Sequence, residues 1–221
     1  MPQTLSVIIP AHQAEKYVAE AIESVRRQSF DGDVEITVID DGSTDNTSEV
    51  ARSSGVRVLR KEQGGAASAR NKGLKETEGD LVLLLDADDI LTDGALNAMY
   101  NALADGVDAV FAMARDFVSC ELTDAQKAQL KPRPSAYGGV LPGCSLIRRS
   151  VFDRIGLFDD TMKSGETVAW LLKLRDAGIK TVQIPDITLM RRLHLTNTGR
   201  LHQKQEMSDY AALLRKRMKR T

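Results

Sequence analysis

Three carboxylates fall within four positions of "LVLLLDADDILTDG" (81–94): Asp86, Asp88 and Asp89, directly behind an apolar run. A second acidic pair, Asp40 and Asp41, ends the apolar part of "VEITVIDDGSTD" (34–45). Like charges this close raise one another's pKa and disfavour the fold unless a cation or hydrogen-bond donors intervene. In "DAD" the outer carboxylates are two apart, so in extended chain they face the same way. That suits a hard divalent cation with oxygen ligands, Mg2+ or Mn2+. So few protein ligands leave coordination positions for phosphate oxygens. Asp41, Asp45, Asp89 and Asp93 are read instead as turn and helix-start residues. "GGAASARNKG" (64–73) sets two glycines ahead of a helix start, followed by Arg70 and Lys72. A phosphate can rest at such an N-terminus, although the run matches neither GxGxxG nor GxxxxGK[ST] and a tight loop before a surface helix explains it equally.

These residues need elements to hold them. "TLSVIIP" (4–10), "VEITVID" (34–40), "VRVLR" (56–60), "DLVLLLDA" (80–87) and "VDAVFAM" (107–113) read as buried strands. Between them, 14–28, 45–55, 64–77 and 93–105 read as helices; the first places Tyr17, Val18, Ala21, Ile22 and Val25 on one face. The alternation predicts an α/β fold with a mostly parallel sheet covered by helices on both faces. In such sheets ligands bind beyond the carboxyl ends of the strands, where both acidic clusters fall. Past residue 113 the alternation fades. The polar segment 122–143 is expected to be an excursion over the sheet edge. Residues 144–160 should form strand, short helix and turn, 165–178 a helix, 180–184 a strand, and 204–219 a final helix.

The 221 residues carry 30 basic and 31 acidic side chains, so bulk charge gives no case for a nucleic-acid partner. No run approaches the roughly 20 apolar residues that span a bilayer. "MPQTLSVIIPAHQAE" lacks the basic start of a secretion signal. Cys120 and Cys144 lack metal-ligand spacing. A cytoplasmic protein is the expectation, with one domain over residues 1–200 and a basic helical extension over 201–221. The extension's "LLRKRMKRT" suits a solvated helix end; an anionic membrane surface or a binding partner are the alternatives.

Taken in order, "SVIIPAHQAEKYVAEAIESVRRQSF", "VIDDGSTDNT", "GGAASARNKGL" and "GDLVLLLDADDIL" resemble the family 2 glycosyltransferases of GT-A fold over residues 4–113, and "LPGCSLIRRSVFDRIGLFDD" (141–160) is similar to that family's acceptor-side segment. The resemblance implies a Rossmann-like fold with a nucleotide-sugar half (4–113) and an acceptor half (114–200). It implies metal-dependent, inverting transfer from a nucleoside diphosphate sugar, UDP by default, to an acceptor hydroxyl or other nucleophile on a small molecule, glycan, lipid or peptide. Pro10, Ala11, His12 and Glu15 would line the nucleotide pocket, although His12 stands where a polar or aromatic residue is usual. Asp40 would accept a hydrogen bond from the base, and Arg70 would lie near the base or diphosphate. Asp86 and Ala87 would contact the ribose or the metal's water shell. Asp88 would ligate Mn2+ or Mg2+, joined by His194 of "MRRLHLTNTGR", with Arg191, Arg192 and Asn197 near the diphosphate.

One position departs from the family pattern. Its base is usually the Asp of a Glu-Asp pair opening a helix, and here "GETVAWLLKLRDAG" has Glu166 followed by Thr167. Three readings stay open. Glu166 is the base; Asp159 or Asp160 contributes instead; or the chain binds a sugar nucleotide without efficient catalysis. A nucleotidyltransferase would share the sheet and the acidic residues, but it needs a Gly-rich phosphate loop after the first strand, and "PAHQAEKY" is not one.

Overall fold

The computed structural model describes residues 3–138, 141–162 and 165–197. In chain order the elements are β1 (Gln3–Ala11), α1 (Val18–Arg26), β2 (Gly32–Asp41), α2 (Thr47–Ser53), β3 (Arg57–Lys61), α3 (Gly65–Glu76), β4 (Leu81–Leu84), β5 (Ile90–Leu91), α4 (Ala95–Ala102), β6 (Ala109–Val118), α5 (Asp124–Lys127), β7 (Tyr137–Gly138), β8 (Ser145–Arg148), α6 (Arg149–Ile155), α7 (Glu166–Asp176) and β9 (Thr181–Leu193). They build one sheet in the order β3-β2-β1-β4-β8-β6-β9-β5, with β7 paired to β6. β3, β2, β1 and β4 are mutually parallel. β8 runs antiparallel to both β4 and β6, and β9 lies parallel to β6. β1, β2, β3, β4, β6 and β9 therefore point the same way, and their carboxyl ends share one edge.

Alternation along the strands divides the core between two faces. Leu5, Val7 and Ile9 of β1 pack toward α1, α2 and α4, in a cluster with Ile22, Leu96 and Met99. Ile8, one residue out of phase, joins Ile39, Val82 and Leu84 on the other face, under α3, α6 and α7 with Trp170 and Leu174. α3 approaches β1 so closely that a Cβ on Gly73 would lie 2.2 Å from Ile8 Cγ2.

Two sequence features shape the functional edge. Leu85 N–H donates to Ile8 O (3.0 Å), the last bond joining β4 to β1. Pro10 faces the same neighbour two residues later and has no N–H to continue the ladder, so β4 stops at Leu84 rather than at 87 as expected, and the acidic run leaves the sheet. The strand expected over 180–184 instead runs on to Leu193. The β6–β9 ladder shifts register after Phe111↔Gln183 and resumes at Met113↔Ile187, so Pro185 falls within the irregularity and does not end the strand. The polar excursion after β6 contains α5, started by a capping box of Thr123 and Gln126. The helix expected over 204–219, the basic tail and His202 lie outside the described residues.

Candidate active site

At the ends of β1 and β2 the two turns lock together. Gln13 N–H donates to Ser43 Oγ (3.1 Å), Ala14 N–H to Thr47 Oγ1 (2.8 Å) and Glu15 N–H to Asp45 Oδ2 (3.2 Å). In return Gln13 Oε1 accepts from Thr44 N–H (2.7 Å), and Glu15 carboxylate from Asn46 N–H (3.0 Å). Ser43, Asp45 and Thr47 of "DGSTDNT" thus each accept a backbone N–H from the turn after β1. Gln13 is held at φ 52° in the middle of this knot, a conformation kept because its surroundings over-determine it. His12 Nδ1 lies 3.0 Å from Asp41 O and Nε2 3.1 Å from Gln63 Nε2, which ties the end of β1 to the end of β2 and to the loop before α3.

Asp40, at the end of β2, is buried. Burial works to raise its pKa, but donors from Ser43 N–H (2.8 Å) and the Ser48 hydroxyl, with Arg60 at 3.8 Å, outweigh it and hold the carboxyl below its ordinary value. Asp41 accepts from Gly64 N–H (2.9 Å), Gly65 N–H (2.7 Å) and Lys61 Nζ (2.6 Å). This corrects the phosphate position expected at "GG": the start of α3 already holds an anion, the Asp41 carboxylate.

The acidic run is not extended. Asp89 N–H donates to Asp86 O (3.1 Å), closing a turn that sends the outer carboxylates different ways. Asp86 Oδ1 receives Arg70 Nη2 at 2.8 Å. Asp88 Oδ2 lies 2.9 Å from His194 Nε2 and 3.2 Å from Asn197 Nδ2. Asp86 and Asp88 keep 34% and 28% of their side chains exposed, enough to meet a ligand. Asp89 is buried and accepts Arg192 N–H at 2.9 Å, as a turn residue should. Burial, then the charges of Asp88 and Asp86, push its pKa well above the usual carboxylate value.

Among the described residues no group of three or more His, Cys, Asp or Glu could hold a metal alone. The pair Asp88–His194 nevertheless has the right spacing: adjacent corners of an octahedron with bonds of about 2.1 Å are about 3 Å apart. The carboxylate oxygen and imidazole nitrogen of this pair are donors that would fit Mn2+ or Mg2+. The arginines expected beside the diphosphate serve other purposes. Arg192 is buried, its Nε donates to Asp88 O (2.9 Å), its guanidinium reaches Glu20 and Ser119, and it lies between Tyr17 (4.9 Å to the ring) and Phe117 (4.7 Å). Arg191 faces Asp116 at 3.6 Å. Arg192 ties β9, which leads to His194, to the acidic turn, and Arg191 ties β9 to β6. Tyr17 contributes further: its ring centroid is 4.8 Å from that of His194, and its hydroxyl donates to Glu121. Burial, then that bond to Glu121, pushes the Tyr17 hydroxyl up to about 12.

Arg70 was expected near the base or diphosphate, and here it is buried with both terminal nitrogens engaged. Nη2 binds Asp86, while Nη1 donates to Glu166 Oε1 (3.0 Å) and approaches Thr167 Oγ1 (3.4 Å). Glu166 opens α7, where the helix dipole favours a carboxylate. Thr167 lines a small apolar pocket with Leu84, Phe111, Phe158 and Trp170. Its side chain thus borders both that apolar lining and the Arg70 guanidinium. Asp159 instead accepts from Thr161 N–H (3.1 Å) and its hydroxyl (2.6 Å) in its own turn. Sequence reasoning missed Asn71, whose amide clasps the Phe158 backbone (Nδ2 to O 2.9 Å, N to Oδ1 3.0 Å). A polar residue next to Arg70 on a buried helix face was the available signal.

Residues 6–156 match the family described as Glycosyl transferase family 2. The chain is 28% identical over 183 residues to Glycosyltransferase GlyG of Streptococcus pneumoniae serotype 4, covering 70% of this chain and 60% of that protein. It is 30% identical over 224 residues to the uncharacterized glycosyltransferase RP339 of Rickettsia prowazekii, covering 93% and 69%. Among solved structures, S. aureus TarS 1–349 in complex with UDP-GlcNAc superposes with a TM-score of 0.69 at 22% identity, over 88% of this chain and 60% of that one. The mannosyltransferase PcManGT of Pyrobaculum calidifontis, in complex with GDP-Man and Mn2+, gives 0.64 at 19%, over 90% and 59%. These structures share the fold of this chain, and the chain belongs to glycosyl transferase family 2.

Proposed function

We propose that the chain transfers a sugar, with inversion, from a nucleoside diphosphate sugar to an acceptor hydroxyl or other nucleophile. UDP is the nucleotide assigned by default. What carries the reading is the meeting of Asp86, Asp88, Glu166 and His194, from three separate stretches of sequence, at the carboxyl edge of one sheet. Residues 4–113 supply the donor side and 114–200 the acceptor side. His12 and the knotted turns around Asp40 form the base side of the cleft; Asp86 and Ala87 face the ribose. Asp88 and His194 hold Mn2+ or Mg2+, which when bound offsets charge on the departing diphosphate. Glu166 takes the proton of the attacking hydroxyl. Its Oε1 accepts from Arg70 and Thr167 (3.3 Å), so Oε2 is the oxygen assigned that role. Both cysteines are free, which accords with a cytoplasmic setting.

Calorimetry with UDP, with and without Mn2+, tests the donor side. Mn2+ should tighten binding, and Asp88→Asn should remove that tightening. For the chemistry, Glu166→Gln should lower hydrolysis of UDP-GlcNAc by at least about a hundredfold. Thr167 favours a second reading, a nucleotide-sugar-binding module without catalysis. UDP binding with no hydrolysis or transfer, and no effect of Glu166→Gln, would select it.

A further inference from the structure

We propose that Arg70 is a positioning residue that ties the acceptor-side carboxylate to the donor side, so that what happens at Asp86 is felt at Glu166 and in α7. This deepens the glycosyl-transfer reading above and rests on it for the roles of the two carboxylates.

The geometry is specific. One buried guanidinium spans the turn after β4 and the first residue of α7, 2.8 Å from Asp86 and 3.0 Å from Glu166. No other cation touches either carboxylate among the described residues. A guanidinium is planar and rigid, so two carboxylates on its two terminal nitrogens are set relative to one another as well as to it. Arg70 Nε is buried without a hydrogen-bond partner. A buried donor left unsatisfied works against stability, so the side chain is not arranged for stability alone. The contacts also reach past the carboxylates. The guanidinium lies over the Phe158 ring at 5.9 Å, and that ring is 5.3 Å from Trp170, whose indole N–H donates to Gly156 O at 2.8 Å. Asn71, next in sequence, pins the Phe158 backbone. A change at Asp86 when nucleotide binds therefore has a continuous packed route into α7. The route needs no contact between Arg70 and the diphosphate.

Trp170 is the only tryptophan, so its emission reports the far end of the route. Saturating UDP with Mn2+ should shift Trp170 emission in the wild type. In Arg70→Lys and Arg70→Met, calorimetric UDP affinity should stay within about threefold of wild type while the emission shift is lost. Hydrolysis of UDP-GlcNAc should fall in kcat by at least about tenfold with little change in KM. A wild-type emission shift in Arg70→Met, or a loss confined to UDP affinity, overturns the proposal; the second result would make Arg70 a diphosphate ligand. A nucleotide-free arm separates this outcome from failure of the functional reading. In urea denaturation, Asp86→Asn and Glu166→Gln should be non-additive, and that coupling should vanish in the Arg70→Met background. Additivity in the wild-type background refutes the bridge even if UDP proves not to be the donor, and coupling without UDP binding leaves the bridge standing while the donor assignment falls.

Discussion

Replacing Gly73 with alanine tests whether the close approach of α3 to β1 sets the position of Arg70. The added Cβ would lie 2.2 Å from Ile8 Cγ2 and 3.3 Å from Ile39 Cγ1, where ordinary contacts begin at 3.4 Å. Ile8 and Ile39 are fully buried and β-branched, so neither turns aside without leaving its rotamer. The helix must therefore yield by about 1 Å, within the limits that a close-packed interior allows. Overpacking of this kind costs about 1–3 kcal/mol, and the severity of the contact places it in the upper half of that range. Alanine returns about 1 kcal/mol as a better helix former than glycine. Net destabilisation of about 1–2 kcal/mol follows. Urea denaturation followed by Trp170 fluorescence measures it. In an Ile8→Ala background the obstructing methyl is gone, so Gly73→Ala should change sign and stabilise by about 1 kcal/mol. A Gly73→Ala protein as stable as wild type, or an unchanged sign in the double variant, would refute the argument. Arg70 lies one turn earlier on the same helix face, so the displacement should also stretch its bonds to Asp86 and Glu166.

Asn71→Ala strands two buried backbone groups of Phe158 and should destabilise by about 2–4 kcal/mol, seen as a lower urea midpoint. Asp41→Ala frees the N–H groups of Gly64 and Gly65 and the ammonium of Lys61, and should cost about 1–3 kcal/mol by the same measurement. Asp40 has a depressed folded-state pKa. Its contribution is therefore present above the unfolded carboxyl value and is lost as pH falls through the folded one. The stability advantage of wild type over Asp40→Asn should be largest near neutrality and shrink below about pH 4, a trend read from urea melts across pH.

Much of the fold was legible because its signals are local and repeated. Apolar strands alternating with amphipathic helices gave the layered sheet, and the two acidic clusters marked its functional edge. What escaped depended on neighbours. Pro10 and Pro185 are both prolines in strands, yet one ends a ladder while the other is absorbed by a register shift, and only the partner strand decides which. Two-residue spacing placed Asp86 and Asp88 on one side of an extended chain. The hydrogen-bonded turn through Asp89 separates them, because Arg70 and His194 wait on different sides. Arg70 advertised positive charge, but its burial against two carboxylates far away in sequence was invisible. Thr167 was conspicuous as a missing carboxylate; its surroundings, an apolar lining from several other elements and the Arg70 guanidinium, could not be read from its own stretch.

β9 is the last described strand, and it inserts between β6 and β5, both formed from much earlier sequence. Synthesis from the N-terminus therefore delivers Asp40, Arg70, Asp86 and Glu166 before the strand that carries Arg192 and leads to His194. Until β9 docks, Asp89 lacks the N–H it accepts from, and Asp88 lacks both its imidazole and amide neighbours. The acidic turn is thus complete only once β9 is in place. A nascent chain stopped after α7 would contain Asp40, Arg70, Asp86 and Glu166 without the strand that leads to His194.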